Sequence, residues 1–284
     1  MNSRLAVITC HYNPCGFRRP IANWWRWREH LPADLPVTSV ELSFDGSFNT
    51  DSEIRLTGDI NNNCLWQKEC LLNIALKSLP PEIDRVAWID ADFIFPDVWI
   101  DAANERLDEF PLVQLFSRVR MLNADGGVVE TPAGVIAEPN AQRAKPGGAW
   151  AARRETLEAG FYDRLVIGAG DVALLHAAQG LFDGFFMRRQ NVAMRRDWLA
   201  WAPPWHSSIK NRIGHLDIEA SHLFHGTRER RQYGTREAAL LTHGYDPARH
   251  VRYNSDGVLE WTDEVPQDMR DRLRSYFQNR MEDD

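Results

Sequence analysis

Residues 86–95 read VAWIDADFIF, an apolar run that is interrupted by two aspartates and then resumes. Residues 86–89 predict a buried strand, because a strand covered on both faces of a sheet is apolar throughout. Asp90 and Asp92 stand where this strand finishes, and in extended geometry residues i and i+2 point to the same side. We therefore predict that the two carboxylates address one ligand at the end of the strand.

The segments before this strand alternate between short strands and longer helices. Residues 5–9 and 37–44 are β-prone, a helical segment surrounds Trp24, and residues 61–79 show the apolar periodicity of a helix that stops at two prolines. This alternation over residues 1–116 is typical of a doubly wound α/β fold, a mostly parallel central sheet with flanking helices. Ligands of such sheets bind beyond the carboxyl ends of the strands, where the aspartate pair lies.

The rest of the chain predicts a flap, helices and a charged tail. The polar residues 121–145, rich in Gly and Pro, predict a surface flap. Helices are predicted near 154–159 and over 171–179, with a loop at 166–170 between them, and the tail at 266–280 predicts a charged amphipathic helix.

The composition fits a compact globular chain. With 284 residues, of which 44% are hydrophobic and 26% charged, the protein can bury a core without disulfides and is too apolar for general disorder. The net charge of −7 argues against a protein that coats nucleic acid over its whole surface. Ten basic and four acidic residues nevertheless fall between 184 and 236, and this local surplus favours a phosphate-bearing partner.

The sequence carries neither a membrane segment nor a cysteine metal motif. No apolar run reaches the roughly 18 residues of a spanning helix, and residues 5–10 are too short for a signal-peptide core, so we expect a cytoplasmic protein. Cys10, Cys15, Cys64 and Cys70 lack the paired spacing of a zinc site and are expected to be free thiols. The oligomeric state stays open.

The chemistry of the aspartate pair depends on a cation. Two carboxylates that converge at a strand end repel each other unless a cation lies between or near them. Oxygen ligands suit Mg²⁺ or Mn²⁺, and such a cation can hold a diphosphate. A solvated acidic turn is the alternative, but the apolar residues on both sides of the pair favour a site.

With this motif the chain resembles the metal-dependent nucleotide-sugar glycosyltransferases of the GT-A fold. The resemblance covers residues 5–95 in the order of strand, loop, helix and Asp-x-Asp strand. It implies that Asp92 binds Mn²⁺ or Mg²⁺ and that Asp90 lies near the metal or the ribose of the nucleotide sugar. By position it also places three residues near the nucleotide, namely His11 and Asn13 in the first loop and Asp45 after the second strand.

Glycine-rich segments in the second half make the resemblance more specific. The segments that begin at Gly147, Gly160 and Gly168 read GGAWAARR, GFYD and GAGD, and they resemble the catalytic region of β-1,4-galactosyltransferases and polypeptide GalNAc-transferases. The resemblance implies that Gly147 and Gly148 pass beneath the donor sugar and that Asp171 is the general base of an inverting transfer. A plain helix N-cap is the alternative for Asp171.

The chain departs from that pattern on either side of the candidate base. Gly170 and Val172 stand where the family has acids that help to bind a sugar acceptor. The departure leaves the identity of the acceptor open.

Two histidines three residues apart, His222 and His225, are candidates to complete the metal site. They meet on one face of a helix, or both reach a metal from a loop, and ordinary core or surface histidines are the alternative. The resemblance places His222 at the family's metal-binding Met and His225 at its His. The basic run that follows, with Arg228 and Arg231, would close over the diphosphate as a lid or form a solvated helix face.

The sequence and the resemblance together predict one catalytic domain over residues 1–234. Residues 1–116 would form its nucleotide-binding half and residues 145–234 its acceptor half, with a C-terminal extension over 235–284. The predicted function is transfer of a sugar from a nucleoside diphosphate sugar, with UDP expected, to a hydroxyl of a glycan or small molecule. Transfer to a modified base in DNA and a nucleotide-sugar-binding protein without catalysis are the alternatives.

Overall fold

The computed structural model describes residues 5–284 and shows an α/β architecture. The strands of this part of the chain are β1 Leu5–Tyr12, β2 Val37–Ser43, β3 Ile54–Thr57, β4 Arg85–Ile89, β5 Phe93–Ile94, β6 Leu112–Gln114, β7 Arg118–Leu122, β8 Val128–Glu130, β9 Ala149–Arg153, β10 Ile213–His215, β11 Glu219–His222, β12 Val251–Tyr253 and β13 Leu259–Trp261. Its helices are α1 Arg18–Glu29, α2 Lys68–Ser78, α3 Trp99–Glu109, α4 Gly170–Ala178, α5 Phe185–Arg188, α6 Val192–Ile209, α7 Ala238–Thr242, α8 Pro247–His250 and α9 Gln267–Asn279.

A seven-stranded sheet in the order β10-β6-β9-β4-β1-β2-β3 forms the centre of the molecule. Its neighbouring strands run parallel except at β9, which is antiparallel to both β4 and β6. The predicted α/β class with a mostly parallel sheet is therefore confirmed. The carboxyl ends of β1 and β4 lie side by side, because Ile8 of β1 is in register with Trp88 of β4.

A second sheet, in the order β5-β11-β7-β8, stands beside this edge. The predicted flap over 121–145 is partly ordered as this sheet, since β7 and β8 pair as an antiparallel hairpin. More important for the site, β11 pairs antiparallel with β5, and His222 lies opposite Phe93. The histidine segment is thus a strand and a following loop.

Two helix predictions were too long. The helix expected over 61–79 begins at Lys68, because the Asp59 carboxylate accepts hydrogen bonds from the backbone N–H groups of Asn61 and Asn62 and holds a turn there. The helix expected near 154–159 is a single 3₁₀ turn, Arg154–Leu157. The helices predicted over 171–179 and 266–280 are confirmed as α4 and α9.

The segment expected to be a C-terminal extension packs into the main core. Met269 and Leu273 of α9 are fully buried in the same apolar cluster as Leu65 and Leu71. Beyond α9, the carboxylate of Asp283 accepts hydrogen bonds from the first two backbone N–H groups of α1. All four cysteines are free, as predicted. Of the helices in residues 5–284, none combines the length and the apolar character needed to cross a bilayer.

Candidate active site

Three side chains from two strand ends form a candidate metal centre. Asp92 follows β4, His222 ends β11, and His225 lies in the loop behind it, while the Leu223 backbone N–H donates to the Asp92 carbonyl oxygen over 2.8 Å. Nε2 of His225 is 3.2 Å from Oδ2 of Asp92 and 3.2 Å from Nε2 of His222. One donor atom from each residue lies within 4.8 Å of the others.

The electrostatics of this cluster suit a cation. Burial, reinforced by Arg231, lowers the pKa of His225 to about 3, and burial also holds the pKa of His222 well below its usual value, so both imidazoles are neutral at pH 7. Burial and the nearby Asp90 raise the pKa of Asp92 to about 7. Oδ1 of Asp92 is buried without a hydrogen-bond partner. Neutral imidazoles and a buried carboxylate oxygen that lacks a hydrogen-bond partner form a donor set that suits a divalent cation.

Asp90 lies outside this three-residue cluster, although the sequence suggested it as a further metal ligand. Its carboxylate is 2.7 Å from Nζ of Lys68, and its backbone N–H donates to the Gly148 carbonyl oxygen. The extended strand ends at Ile89, so the two aspartates do not share the strand geometry that the prediction assumed.

Lys68 connects Asp90 with the candidate base. Its Nζ lies 3.3 Å from Oδ2 of Asp171, which is half-buried in the first turn of α4. Asp171 accepts no hydrogen bond from the helix as an N-cap, since the residue at the cap position is Ala169. The sequence interpretation missed Lys68, because a lone lysine at the start of a helix carries no motif.

The two consecutive glycines are required by close contacts on both sides. A Cβ at Gly147 would overlap the Asp171 carboxylate, and a Cβ at Gly148 would overlap the ring of Phe93. Gly148 also has a φ of +110°, which side-chain-bearing residues rarely adopt. Because these two residues have no side chains, the chain can pass between the candidate metal centre and the candidate base as it enters β9.

The departure at Gly170 has a structural reason. A side chain at this position would overlap the carboxyl group of Glu69, which is buried beside Lys68. Burial raises the pKa of Glu69 to about 8, although Lys68 opposes the shift. An acidic group from α2 thus lies against the residue that precedes the candidate base, and sequence order alone could not reveal it.

One cavity of about 570 Å³ joins these parts. It is lined by the three candidate metal ligands, by Asp90, Lys68 and Asp171, and by six of the residues predicted to bind the nucleotide sugar, namely His11, Asn13, Gly147, Gly148, Arg228 and Arg231. Asp45 is not part of the lining. It is exposed in the turn after β2, where its carboxylate accepts from the Ser47 backbone N–H.

The basic run predicted as a lid has one buried and one exposed member at the cavity. Arg231 is 7% exposed, contacts Nδ1 of His225 and donates to the His225 carbonyl oxygen, whereas Arg228 is exposed. The C-terminal residues Arg280 and Glu282 line the same cavity, and Glu282 lies 3.7 Å from Nδ1 of His225. No sequence pattern points to these two residues, because they reach the site from the far end of the chain.

Comparison with known proteins yields structural similarities without sequence relatives. No protein-family model matches the chain, and no curated protein matches it significantly. A mutant of Drosophila β-1,4-galactosyltransferase 7 in complex with manganese, UDP-Gal and xylobiose is 13% identical with a TM-score of 0.40, over 80% of this chain and 73% of that one. Residues 1–349 of S. aureus TarS in complex with UDP-GlcNAc are 14% identical with a TM-score of 0.45, over 97% and 72%.

A third similar structure is the glucosyl-3-phosphoglycerate synthase of Mycobacterium tuberculosis with Mg²⁺ and UDP. It is 14% identical with a TM-score of 0.41, over 92% of this chain and 87% of that one. At these identities and TM-scores the similarities assign neither a family nor an activity to this chain.

Proposed function

We propose that the protein is a metal-dependent glycosyltransferase of the GT-A type that uses a nucleoside diphosphate sugar, with UDP as the expected nucleoside diphosphate. The observation that carries this proposal is the joint placement of the Asp92, His222 and His225 cluster and of Asp171 in one cavity. Three protein ligands leave coordination positions for phosphate oxygens. Arg231 and Arg228 line the same cavity and suit the charge of a diphosphate.

The proposed reaction is a displacement with inversion at the anomeric carbon. The acceptor hydroxyl oxygen forms a bond to that carbon, the bond from the carbon to the diphosphate oxygen breaks, and Asp171 takes the hydroxyl proton. A bound divalent cation, Mn²⁺ or Mg²⁺, would neutralise negative charge on the departing nucleoside diphosphate. Arg231 and Arg228 would stabilise that charge further, and Lys68 would hold the Asp171 carboxylate in position.

The glycines at the start of β9 would supply the surface beneath the donor sugar. With hydrogen in place of side chains, the backbone at Gly147 and Gly148 can approach the sugar closely. His11 and Asn13 are proposed to contact the nucleotide. The side-chain amide of Asn13 bonds to both the backbone N–H and the carbonyl oxygen of Phe17, which fixes the loop after β1.

Turnover of a panel of UDP-sugars with and without Mn²⁺ tests the proposal. The wild-type chain should hydrolyse or transfer at least one of them only when the divalent cation is present. Asp92→Asn and His225→Ala should each lower that rate by about 100-fold or more, whereas Asp97→Asn, an exposed aspartate nearby, should not change it. Wild-type rates in both ligand variants would overturn the proposal, and heat protection by a UDP-sugar without turnover would favour a binding protein.

Transfer to a modified base in DNA is a second candidate, which the basic surplus between 184 and 236 favours. Arg189 and Arg228 from this stretch are exposed and line the cavity. Binding to DNA through phosphate contacts must weaken steeply as salt rises. A salt-independent or absent affinity for duplex DNA would exclude this acceptor.

A further inference from the structure

Three arginines are buried in one corner of the cavity, and one of them, Arg236, has no carboxylate of residues 5–284 within ion-pair distance. Arg231, Arg236 and Arg280 are each at most 9% exposed, and Glu282 is the carboxylate that pairs with Arg231 and Arg280. Glu282 lies 2.5 Å from Arg280 and 3.9 Å from Arg231. A buried charge without a partner is costly, so a buried arginine that has no carboxylate partner indicates that an anion completes the site.

Arg236 is the member of this group that lacks a carboxylate. It is 9% exposed, its Nη1 donates to the Tyr276 hydroxyl over 3.2 Å, and its Nε is buried without a hydrogen-bond partner. Arg280 donates to the same hydroxyl over 3.2 Å. A phenol hydroxyl that accepts from two guanidinium groups is not a carboxylate, so the hydrogen bond gives Arg236 no acidic partner.

The position of Arg236 differs from that of Arg231. Arg231 contacts His225 at the candidate metal centre, where the donor diphosphate is proposed to bind. Arg236 lies against the loop that leads into Asp171, because a Cβ at Gly168 would be 3.2 Å from its Nη1. An anion at Arg236 would therefore lie against the loop that leads into Asp171, the proposed base.

Two exposed aromatic rings line the same cavity as Arg236. Its guanidinium stacks 5.1 Å from the ring centre of Tyr233, which is 51% exposed, and Phe185 on the same cavity is 68% exposed. Arg189 lies 5.5 Å from the Phe185 ring centre. Aromatic faces pack against sugar rings and similar carbon frameworks, whereas guanidinium groups recognise phosphate and carboxylate oxygens.

We infer that the acceptor of the transfer carries an anionic group, of which a phosphate monoester is the best match, and that Arg236 binds it. The inference rests on the proposed function, because it is the role of Asp171 as the base that makes this side of the cavity the acceptor side. It also agrees with the absence of acidic side chains on either side of Asp171. Gly170 and Val172 would present no negative charge to such an acceptor.

Binding of a phosphate monoester while the donor site is filled tests this inference. The protein is saturated with UDP and Mn²⁺ and titrated with glycerol 3-phosphate, with glycerol as the uncharged probe and KCl at matched ionic strength, and its Tm is followed. We expect a further rise in Tm with glycerol 3-phosphate alone, since a ligand that binds the folded state stabilises it. Arg236→Gln should weaken the apparent affinity at least about tenfold, and Arg236→Lys, which keeps the charge, should weaken it less.

Arg230→Gln is the matched control, because Arg230 lies in the same basic run, is exposed and does not line the cavity. It should bind the probe as the wild type does. Equal affinity in Arg236→Gln and wild type, or no rise in Tm beyond that of KCl, would overturn the inference. Loss of probe binding once UDP and Mn²⁺ are present would also overturn it, because the anion would then compete with the donor phosphates.

Failure of the proposed function would be seen separately. In that case UDP with Mn²⁺ would not raise the Tm of the wild type at all. The probe titration repeated without UDP would still show whether Arg236 binds an anion.

Discussion

Nζ of Lys68 lies 3.3 Å from the carboxylate of Asp171, so the first residue of α2 holds the candidate base at the start of α4. The same ammonium is 2.7 Å from Asp90. Burial lowers the pKa of Lys68, but Asp171 and Asp90 more than offset this, and the pKa stays well above its usual value. Lys68 is therefore a buried cation that keeps two acidic groups of the site together.

Replacing Lys68 should destabilise the folded protein. Lys68→Met keeps the length of the side chain but leaves Asp90 and Asp171 without their cation, so we expect the free energy of unfolding to fall by about 3 kcal/mol. Lys77→Met, at an exposed position near the end of the same helix, should change it by less than about 0.5 kcal/mol. Urea denaturation at pH 7 measures the free energy of unfolding of both variants. Equal changes in the two would show that the ion pairs of Lys68 do not contribute to stability.

Glu69 should make stability depend on pH. Its pKa is about 8 in the folded protein, above the ordinary value of 4.5, so the folded state binds the proton more tightly than the unfolded state. The contribution of protonated Glu69 to the free energy of unfolding is complete below the pKa of this group in the unfolded chain. As pH rises from there to about 8, the free energy of unfolding falls by up to about 1.4 kcal/mol per pH unit. Glu69→Gln should remove this slope.

Denaturation curves between pH 5 and 8.5 test the Glu69 prediction. The difference in free energy of unfolding between Glu69→Gln and wild type should shift in favour of the variant as pH rises. Glu158→Gln, at an exposed position, should run parallel to wild type. A difference that stays constant across this range would show that Glu69 does not titrate there.

Gly148 should tolerate no side chain. Gly148→Ala requires a Cβ that overlaps the Phe93 ring and a backbone φ of +110°, and we expect a loss of about 2–3 kcal/mol in the free energy of unfolding. Gly234→Ala is the control, since nothing lies within 4 Å of the added carbon there. Thermal and urea unfolding of both variants measure the difference, and similar small losses would mean that β9 can shift away from Phe93.

The C-terminal residues should stabilise the start of α1. Asp283 accepts from the backbone N–H groups of Arg18 and Arg19 over 3.1 and 2.7 Å, which makes it an N-cap supplied from the other end of the chain. Asp283→Ala should therefore cost about 1 kcal/mol, and Asp284→Ala, at the exposed neighbouring position, should cost nothing measurable. Equal unfolding midpoints in urea for Asp283→Ala and wild type would contradict the cap.

The sequence predicted those site residues whose positions depend on neighbouring residues in the chain. The apolar run of β4 and the turn residues after it placed Asp92 at a strand end, and the glycine pair and the helix start placed Gly147, Gly148 and Asp171. His222 and His225 were candidates because of their spacing and because the resemblance places them at the family's metal-binding Met and His. Their contact with Asp92 depends on the pairing of β11 with β5, a long-range contact that no local pattern contains.

The parts that the sequence could not predict come from distant packing. Lys68 and Glu69 reach the site because the start of α2 packs against the start of α4, about a hundred residues further along the chain. Arg280 and Glu282 arrive through the packing of α9. Asp45 follows the end of β2 but is exposed and does not line the cavity, so a position at a strand end does not by itself bring a side chain to the site.

The binding of Mn²⁺ in the presence of UDP tests whether Asp92, His222 and His225 form a metal centre. Electron paramagnetic resonance of free Mn²⁺ should show one bound ion per wild-type chain, with affinity that increases when UDP is added. His225→Ala and His222→Ala should each weaken that binding by about tenfold or more, and His30→Ala, at an exposed position, should not. Wild-type affinity in both ligand variants would contradict the assignment of Asp92, His222 and His225 as the metal centre.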